Sequence, residues 1–488
     1  MWTSILVLAG VWIVGHACAF LVVRRAGSSD FLLAAGLAPG LALGLLSLQA
    51  FFARVVFGAP LHWFVPAALF AGLAAVVRNR SNPSEPLDRR PSQRRVFGLR
   101  GLFHALAAVL AIQCATVFFL ASRAKPHGGY DAVAIWNVRA RTLNRVGPGR
   151  LEEVLSGLVH GDYPLLLPEG LAYLFRIRGL EEPLLQQGLA FAFLVGLCAL
   201  AYSAVRRMSG GLAAACALVL LLASPQLVLS AASQYADVPL SYFFLAAALC
   251  SASLLARDRA LRVPPMLAGF FVGVLPWTKN EGSVMAIVLV TALAAFLSRP
   301  EHEGRRRGVL LGMLAGATPP LAALLVFKLI LAPENDLVRE TSLASLASAL
   351  DTERWRTVGA AFWHNVGLRR GPSPYGGAWG FVWPATAVVA ITFTGFRRRA
   401  HLPETGYLGV VAVTMLCAWF AVYLVTPKPL EWHLSTSLNR LLVQILPLFV
   451  VSACCLVDLE VLAENGANEI GIESASSETR NAREDYST

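Results

Sequence analysis

Residues 184–207 read LLQQGLAFAFLVGLCALAYSAVRR. An apolar stretch over 184–204, with no charged residue, is followed after Val205 by Arg206 and Arg207. An α-helix rises about 1.5 Å per residue, so about 20 such residues span the ~30 Å hydrocarbon core of a bilayer. Paired arginines just beyond such a run mark its cytoplasmic end. The pattern recurs along the chain. Twelve further apolar stretches lie near 3–23, 31–53, 61–77, 101–122, 211–231, 239–256, 264–278, 283–298, 308–331, 378–396, 406–426 and 439–457. The sequence therefore predicts an all-α polytopic membrane protein with about 13 transmembrane helices.

Composition agrees. Of 488 residues, 56% are hydrophobic and 15% charged, and the mean hydropathy is +0.60. Soluble domains carry about 45–50% apolar and about 25% charged residues. A soluble enzyme, a secreted disulfide scaffold and a disordered hub are excluded. The net charge of +11 resides in short arginine clusters between apolar runs, with no zinc-finger spacing or RNA-binding signature, so nucleic acid is not an expected partner. All eight cysteines fall inside apolar runs without a CxxC spacing. They read as small buried hydrophobes rather than a disulfide or metal framework.

Arg24 and Arg25 follow the first stretch rather than precede it, the reverse of a cleaved signal. It reads as a retained helix with its N-terminus outside. Alternation then places twenty-one arginines in the cytoplasmic loops. The short outer loops hold only Arg54, Lys279 and Lys428. This predicts a multi-pass protein of the bacterial inner (plasma) membrane with a cytoplasmic C-terminus. Two long segments, near 123–183 and 332–377, lie outside and look partly helical. Within the second, 343–368 either lies along the membrane surface or packs on the helix ends. The expected organisation is extra N-terminal helices and a basic linker over 1–100, a core over 101–457, and a disordered polar tail over 458–488.

Charge inside lipid is costly and marks pathways, and the span centres hold almost none. Polar residues gather instead at the outer helix ends, in five clusters. The first is 127–141, HGGYDAVAIWNVRAR, with Tyr130, Asp131, Trp136 and Arg139; Asp131 alternatively caps a helix. The second is 160–168, HGDYPLLLP, with His160, Asp162 and Tyr163, which also reads as a plain turn. The third is 235–240, YADVPL, where Asp237 has the look of an N-cap with proline in the first turn. The fourth is 277–282, WTKNEG, where Lys279 and Glu281 form either a boundary ion pair or part of a polar cavity. The fifth is 429–440, PLEWHLSTSLNR, where Ser435 or Ser437 is expected to cap the last span. That would put Arg440 in or near its first turn, seated with His433 for an anion such as phosphate. Snorkelling of Arg440 to lipid headgroups is the alternative.

The order and common side of these clusters resemble the GT-C class of integral-membrane glycosyltransferases, which includes the protein O-mannosyltransferases and the bacterial aminoarabinose and Rgt-like sugar transferases. The resemblance covers roughly residues 101–457. It implies a GT-C-like bundle with two large extracytoplasmic loops. It also implies transfer of a hexose or pentose from a polyprenyl-phosphate donor to a hydroxyl on a glycan, lipid or protein of the cell envelope. Asp131 matches the acid at the start of the first large outer loop that serves as general base or positions the acceptor. Asp237 matches a second outer-loop acid. Where several relatives carry a phosphate-touching lysine before proline, this chain has Asp162-Tyr163-Pro164, so that role does not carry over. Lys279 and Arg440 become the candidates for the leaving phosphate. The paired acids of metal-using relatives are missing, since Asp131 precedes Ala-Val-Ala, so metal independence is the expectation and no cofactor is implied. The competing functions are a flippase or transporter of lipid-linked sugars, which calls for charges spaced down the bundle interior, and a non-catalytic scaffold, which calls for scattered polar groups.

Overall fold

The computed structural model describes residues 2–25, 30–58, 97–147, 150–256, 263–334, 347–367, 375–394 and 403–456. Among them there is no strand, and the chain is an all-α multi-pass membrane protein. The helices are α1 Trp2–Arg25, α2 Phe31–Phe57, α3 Phe97–Ala124, α4 Asn137–Arg145, α5 Leu151–Ser156, α6 Leu166–Arg178, α7 Pro183–Ser209, α8 Gly211–Leu222 and α9 Pro225–Ala232. They continue with α10 Asp237–Ser253, α11 Pro265–Thr278, α12 Glu281–Leu297, α13 Glu303–Val326, α14 Thr352–Val366, α15 Val382–Thr394, α16 Pro403–Val425 and α17 Leu430–Cys455.

Seven described helices are long and apolar enough to cross a bilayer, and eight segments are if α8 and α9, which meet at a 63° bend, form one span. The count of thirteen is thus met only in part. The stretch 61–77 lies outside the described residues, as do the tail and most of the basic linker. The stretches at 239–256, 264–278 and 283–298 fold as helices of 17, 14 and 17 residues, the longest about 26 Å at the usual rise. Polar residues lie at one end of each: Asp237 opens α10, and Lys279 and Asn280 separate α11 from α12. Lys279 between α11 and α12 is fully extended (φ −160°, ψ 153°). Rows of exposed apolar side chains, such as Leu106, Val109 and Ile112 on α3 and Leu311, Leu314 and Leu325 on α13, face outward as lipid contact requires.

The helix ends are defined locally. Asp30 accepts the Leu32 and Leu33 N–H groups at 2.9 and 3.1 Å to start α2, and Gly58 ends it in the left-handed region. The other carboxylate oxygen of Asp30 binds Arg207 at 2.5 Å and Ser203 at 2.9 Å, fixing α2 to α7. Pro39 disturbs the ladder within α2, and the Tyr242 hydroxyl of α10 enters the gap. It donates to the Gly36 carbonyl at 2.7 Å and accepts from the Gly40 N–H at 3.2 Å, so these two backbone groups are not left bare in an apolar surrounding. Helices α11 and α13 approach more closely than side chains permit. A Cβ on Gly316 would lie 1.8 Å from the Met266 carbonyl oxygen, and one on Gly269 1.9 Å from that of Met313.

The described parts of the long segments between spans are largely helical. Helix α6 is embedded rather than superficial. Its Glu169, fully buried, takes a bidentate guanidinium from the equally buried Arg54 of α2 at 2.8 and 3.1 Å. Helix α14, capped by Asp351, turns Val358, Ala361 and Phe362 inward and leaves Trp355 and Trp363 exposed. It packs against α16, with Phe362 edge-on to Phe420.

Candidate functional site

Five of the anticipated residues converge at one end of the bundle. Asp237, the first residue of α10, is 1% exposed. Its Oδ1 accepts from Lys279 Nζ at 2.9 Å and Gln444 Nε2 at 2.7 Å, and its Oδ2 from Arg440 Nε at 2.8 Å. Arg440 reaches on to Asp131 Oδ2 at 2.7 Å, and its guanidinium lies 5.2 Å from the Tyr235 ring centre. Lys279 pairs in turn with Glu281 Oε1 at 2.6 Å. The result is one chain of charge, Asp131–Arg440–Asp237–Lys279–Glu281, with three carboxylates against two cations. Asp237 and Lys279 form its dry centre; Asp131, Arg440 and Glu281 keep 15%, 24% and 25% side-chain exposure. The second carboxylate oxygen of Glu281 is enclosed and has no hydrogen-bond partner.

A second group abuts the first. Asn280 donates to Asp162 Oδ2 at 2.7 Å, and Lys328 donates to the Asp162 carbonyl at 2.6 Å and to Asn280 Oδ1 at 3.0 Å. The tripeptide Lys279-Asn280-Glu281 thereby joins both groups. Arg139 is fully buried and gives its Nη groups to the carbonyls of Tyr163 and Val159, each at 3.0 Å. It clamps the 159–163 turn. Burial pulls its guanidinium down to about 10, against the opposing fields of Asp162 and Tyr163. Tyr163 is stacked between Trp136 at 5.6 Å and His160 at 4.9 Å. Its phenol is held well above the ordinary value, first by burial and then by the charge of Glu281, with Arg440 opposing. His160 and Gln234 are the two non-glycine residues with positive φ among the described residues, at 52° and 58°, and both flank the site. His433 stands beside the cluster, bonded to Thr426 at 2.9 Å and packed on Tyr423 at 5.0 Å. Tyr130 is 77% exposed.

Several local expectations are corrected. Asp237 does not cap α10: Ala236 is the N-cap, and the Asp237 side chain makes no cap hydrogen bond, because Lys279, Arg440 and Gln444 engage both oxygens. Asp131 does not cap either; it precedes a π turn at Ala132–Trp136. The last span starts at Leu430 after Pro429, whose ring presets the backbone for a helix start. Ser435 and Ser437 are therefore inside the helix, bonding back to the carbonyls of Trp432 and His433, and Arg440 is three turns in. The helix dipole plays no part at Arg440, which is balanced by Asp131 and Asp237 instead.

Gln444 and Lys328 were not anticipated, and Asn280 and Tyr235 lay within the quoted clusters without a role of their own. Gln444 was readable in principle, since it follows Arg440 by four residues and shares its helix face. Lys328, near the end of an apolar run, was readable as a snorkelling cation. Among the described residues no three His, Cys, Asp or Glu side chains gather as a metal set. Comparison with protein families, curated proteins and solved structures finds no match to this chain.

Proposed function

We propose that the protein is a membrane glycosyltransferase that moves a sugar from a polyprenyl-phosphate donor to a hydroxyl of a glycan, lipid or protein acceptor. The supporting observation is Arg440 bridging Asp131 and Asp237 at the end of an apolar bundle, which sets a half-buried carboxylate beside a half-buried cation. By the arginine pattern this end faces the outside of the plasma membrane. A carrier too apolar to leave the bilayer needs its reacting end met there.

Asp131 takes the proton of the acceptor hydroxyl as its oxygen bonds to the anomeric carbon. The bond from that carbon to the phosphate oxygen breaks, its electron pair leaves with the phosphate, and the anomeric centre inverts. Charge grows on the leaving phosphate, and preorganised cations stabilise it. Arg440 is the first of these, its guanidinium held rigidly by two carboxylates and the Tyr235 ring. Lys328, with its side chain 31% exposed, is a second. Lys279 is buried between Asp237 and Glu281 and acts through the placement of Asp237. Asp237 aims Arg440 rather than accepting a proton, since both its oxygens are occupied.

The test uses the full chain in lipid nanodiscs with polyprenyl-phosphate sugars and an extract of the native envelope. Asp131→Asn is expected to lower transfer by about 10²- to 10⁴-fold with donor binding retained. Equal turnover by variant and wild type removes Asp131 from the chemistry. A wild type that consumes no donor refutes the proposal.

A further inference from the structure

Behind the charged chain lies a small pocket of about 30 Å³. Its walls include Trp136, Asn137, Gln186, Gln234 and Tyr235. Two of these also belong to the site: Trp136 stacks on Tyr163, and Tyr235 carries Arg440. Asn137 and Gln234 are already engaged. The Asn137 amide donates to Gln234 Oε1 at 2.9 Å and to the His127 carbonyl at 3.0 Å, and the Gln234 amide donates to the Pro126 carbonyl at 3.1 Å.

Gln186 differs. It lies in the first turn of α7 and is 3% exposed, and neither its amide nitrogen nor its amide oxygen has a hydrogen-bond partner. The indole N–H of Trp136, 2% exposed, is also without one. Buried polar groups are nearly always paired, and leaving one unpaired is destabilising. Three such atoms on residues lining one pocket point to a polar occupant. No charged side chain is among the lining residues, so that occupant is neutral. The volume suits about two waters or a single hydroxylated arm, and is too small for a whole ring. An amide that both donates and accepts, beside an indole donor and an aromatic wall, matches a hydroxyl, which also does both.

We propose that this pocket receives a hydroxyl or hydroxymethyl arm of a saccharide and that Gln186 reads it. This rests on the glycosyl-transfer proposal for why a saccharide reaches the site, and adds where it is recognised.

The test compares wild type with Gln186→Leu and Gln186→Met, two apolar near-isosteres that guard against one failing to fold. The probes are methyl glucoside, methyl mannoside, methyl galactoside and their 6-deoxy forms, titrated calorimetrically against the full chain in nanodiscs. At least one hexoside is expected to bind wild type and to bind both variants about tenfold more weakly, with its 6-deoxy form weakened to a similar degree in wild type alone. In transfer assays with polyprenyl-phosphate hexoses, a raised KM for the donor places the arm on the donor sugar, and a raised KM for the acceptor alone places it on the acceptor. Equal affinities in wild type and variants, or no hexoside binding to wild type, overturn the assignment and leave ordered water only. If wild type transfers nothing while the binding difference stands, glycosyl transfer fails and the pocket assignment survives.

Discussion

Lys279→Met probes the imbalance of the charge chain. In the wild type, two cations hold three carboxylates, and the centre of the chain, Lys279 with Asp237, is 2% and 1% exposed. Without Lys279, Asp131, Asp237 and Glu281 face Arg440 alone. Removing one partner of a buried ion pair costs about 3–5 kcal/mol, and the excess negative charge places this variant in the upper half of that range. Asp237→Asn is different. It breaks charge-assisted bonds to Lys279, Gln444 and Arg440, but leaves two balanced pairs, Asp131–Arg440 and Lys279–Glu281. It also removes a buried charge, so about 1–3 kcal/mol is expected. The double variant should cost little more than Lys279→Met alone, a coupling of about 2 kcal/mol. The assay is denaturant unfolding of the four proteins in one mixed micelle, followed by helical circular dichroism. If Asp237→Asn proves the costlier single change, or if the two effects add within about 0.5 kcal/mol, the charge arithmetic is wrong.

Three further outcomes follow from the packing. Arg54→Met or Glu169→Leu alone should destabilise by about 3–5 kcal/mol, while the pair together should be close to neutral, as read in the same unfolding assay. Gly316→Ala should cost about 1–3 kcal/mol by forcing α13 from the Met266 carbonyl. Gly10→Ala, with open space around it, should be neutral in a parallel melt. Burial raises the Glu181 carboxyl, but hydrogen bonds from Arg145 and Asn144 outweigh this and hold it below 4.5. A depressed acid stabilises above its unfolded value and loses that contribution as pH falls through its folded one. Amide exchange at the end of α4 should therefore quicken as pH drops below about 4.5, relative to the intrinsic rate. Glu181→Gln should abolish that dependence.

The sequence made the membrane character plain because burial in lipid leaves a signature in every apolar run, as at 184–207. Lys279 and Glu281, two residues apart, were legible as neighbours for the same local reason. Arg440 was misplaced within its helix because two serines suggested a cap, whereas Pro429 sets the start. The bonds joining Asp237 to Gln444 and Arg54 to Glu169 cross 207 and 115 residues. No local pattern encodes such meetings; they arise from how the helices pack. Helices α10 and α12 open on members of the charged cluster, Asp237 and Glu281, and α11 ends where the backbone becomes extended at Lys279. Tyr130, singled out beside Asp131, is 77% exposed and has no part in the ion-pair chain that Asp131 joins.

Three consecutive side chains where α11 gives way to α12 radiate like spokes from one hub, Lys279 toward Asp237, Asn280 toward Asp162, and Glu281 back to Lys279. A pull on any spoke is felt by the others within a single turn of backbone. The two halves of the polar centre are tied through this one short stretch of backbone, and a guest that displaces one partner meets the bonds of both.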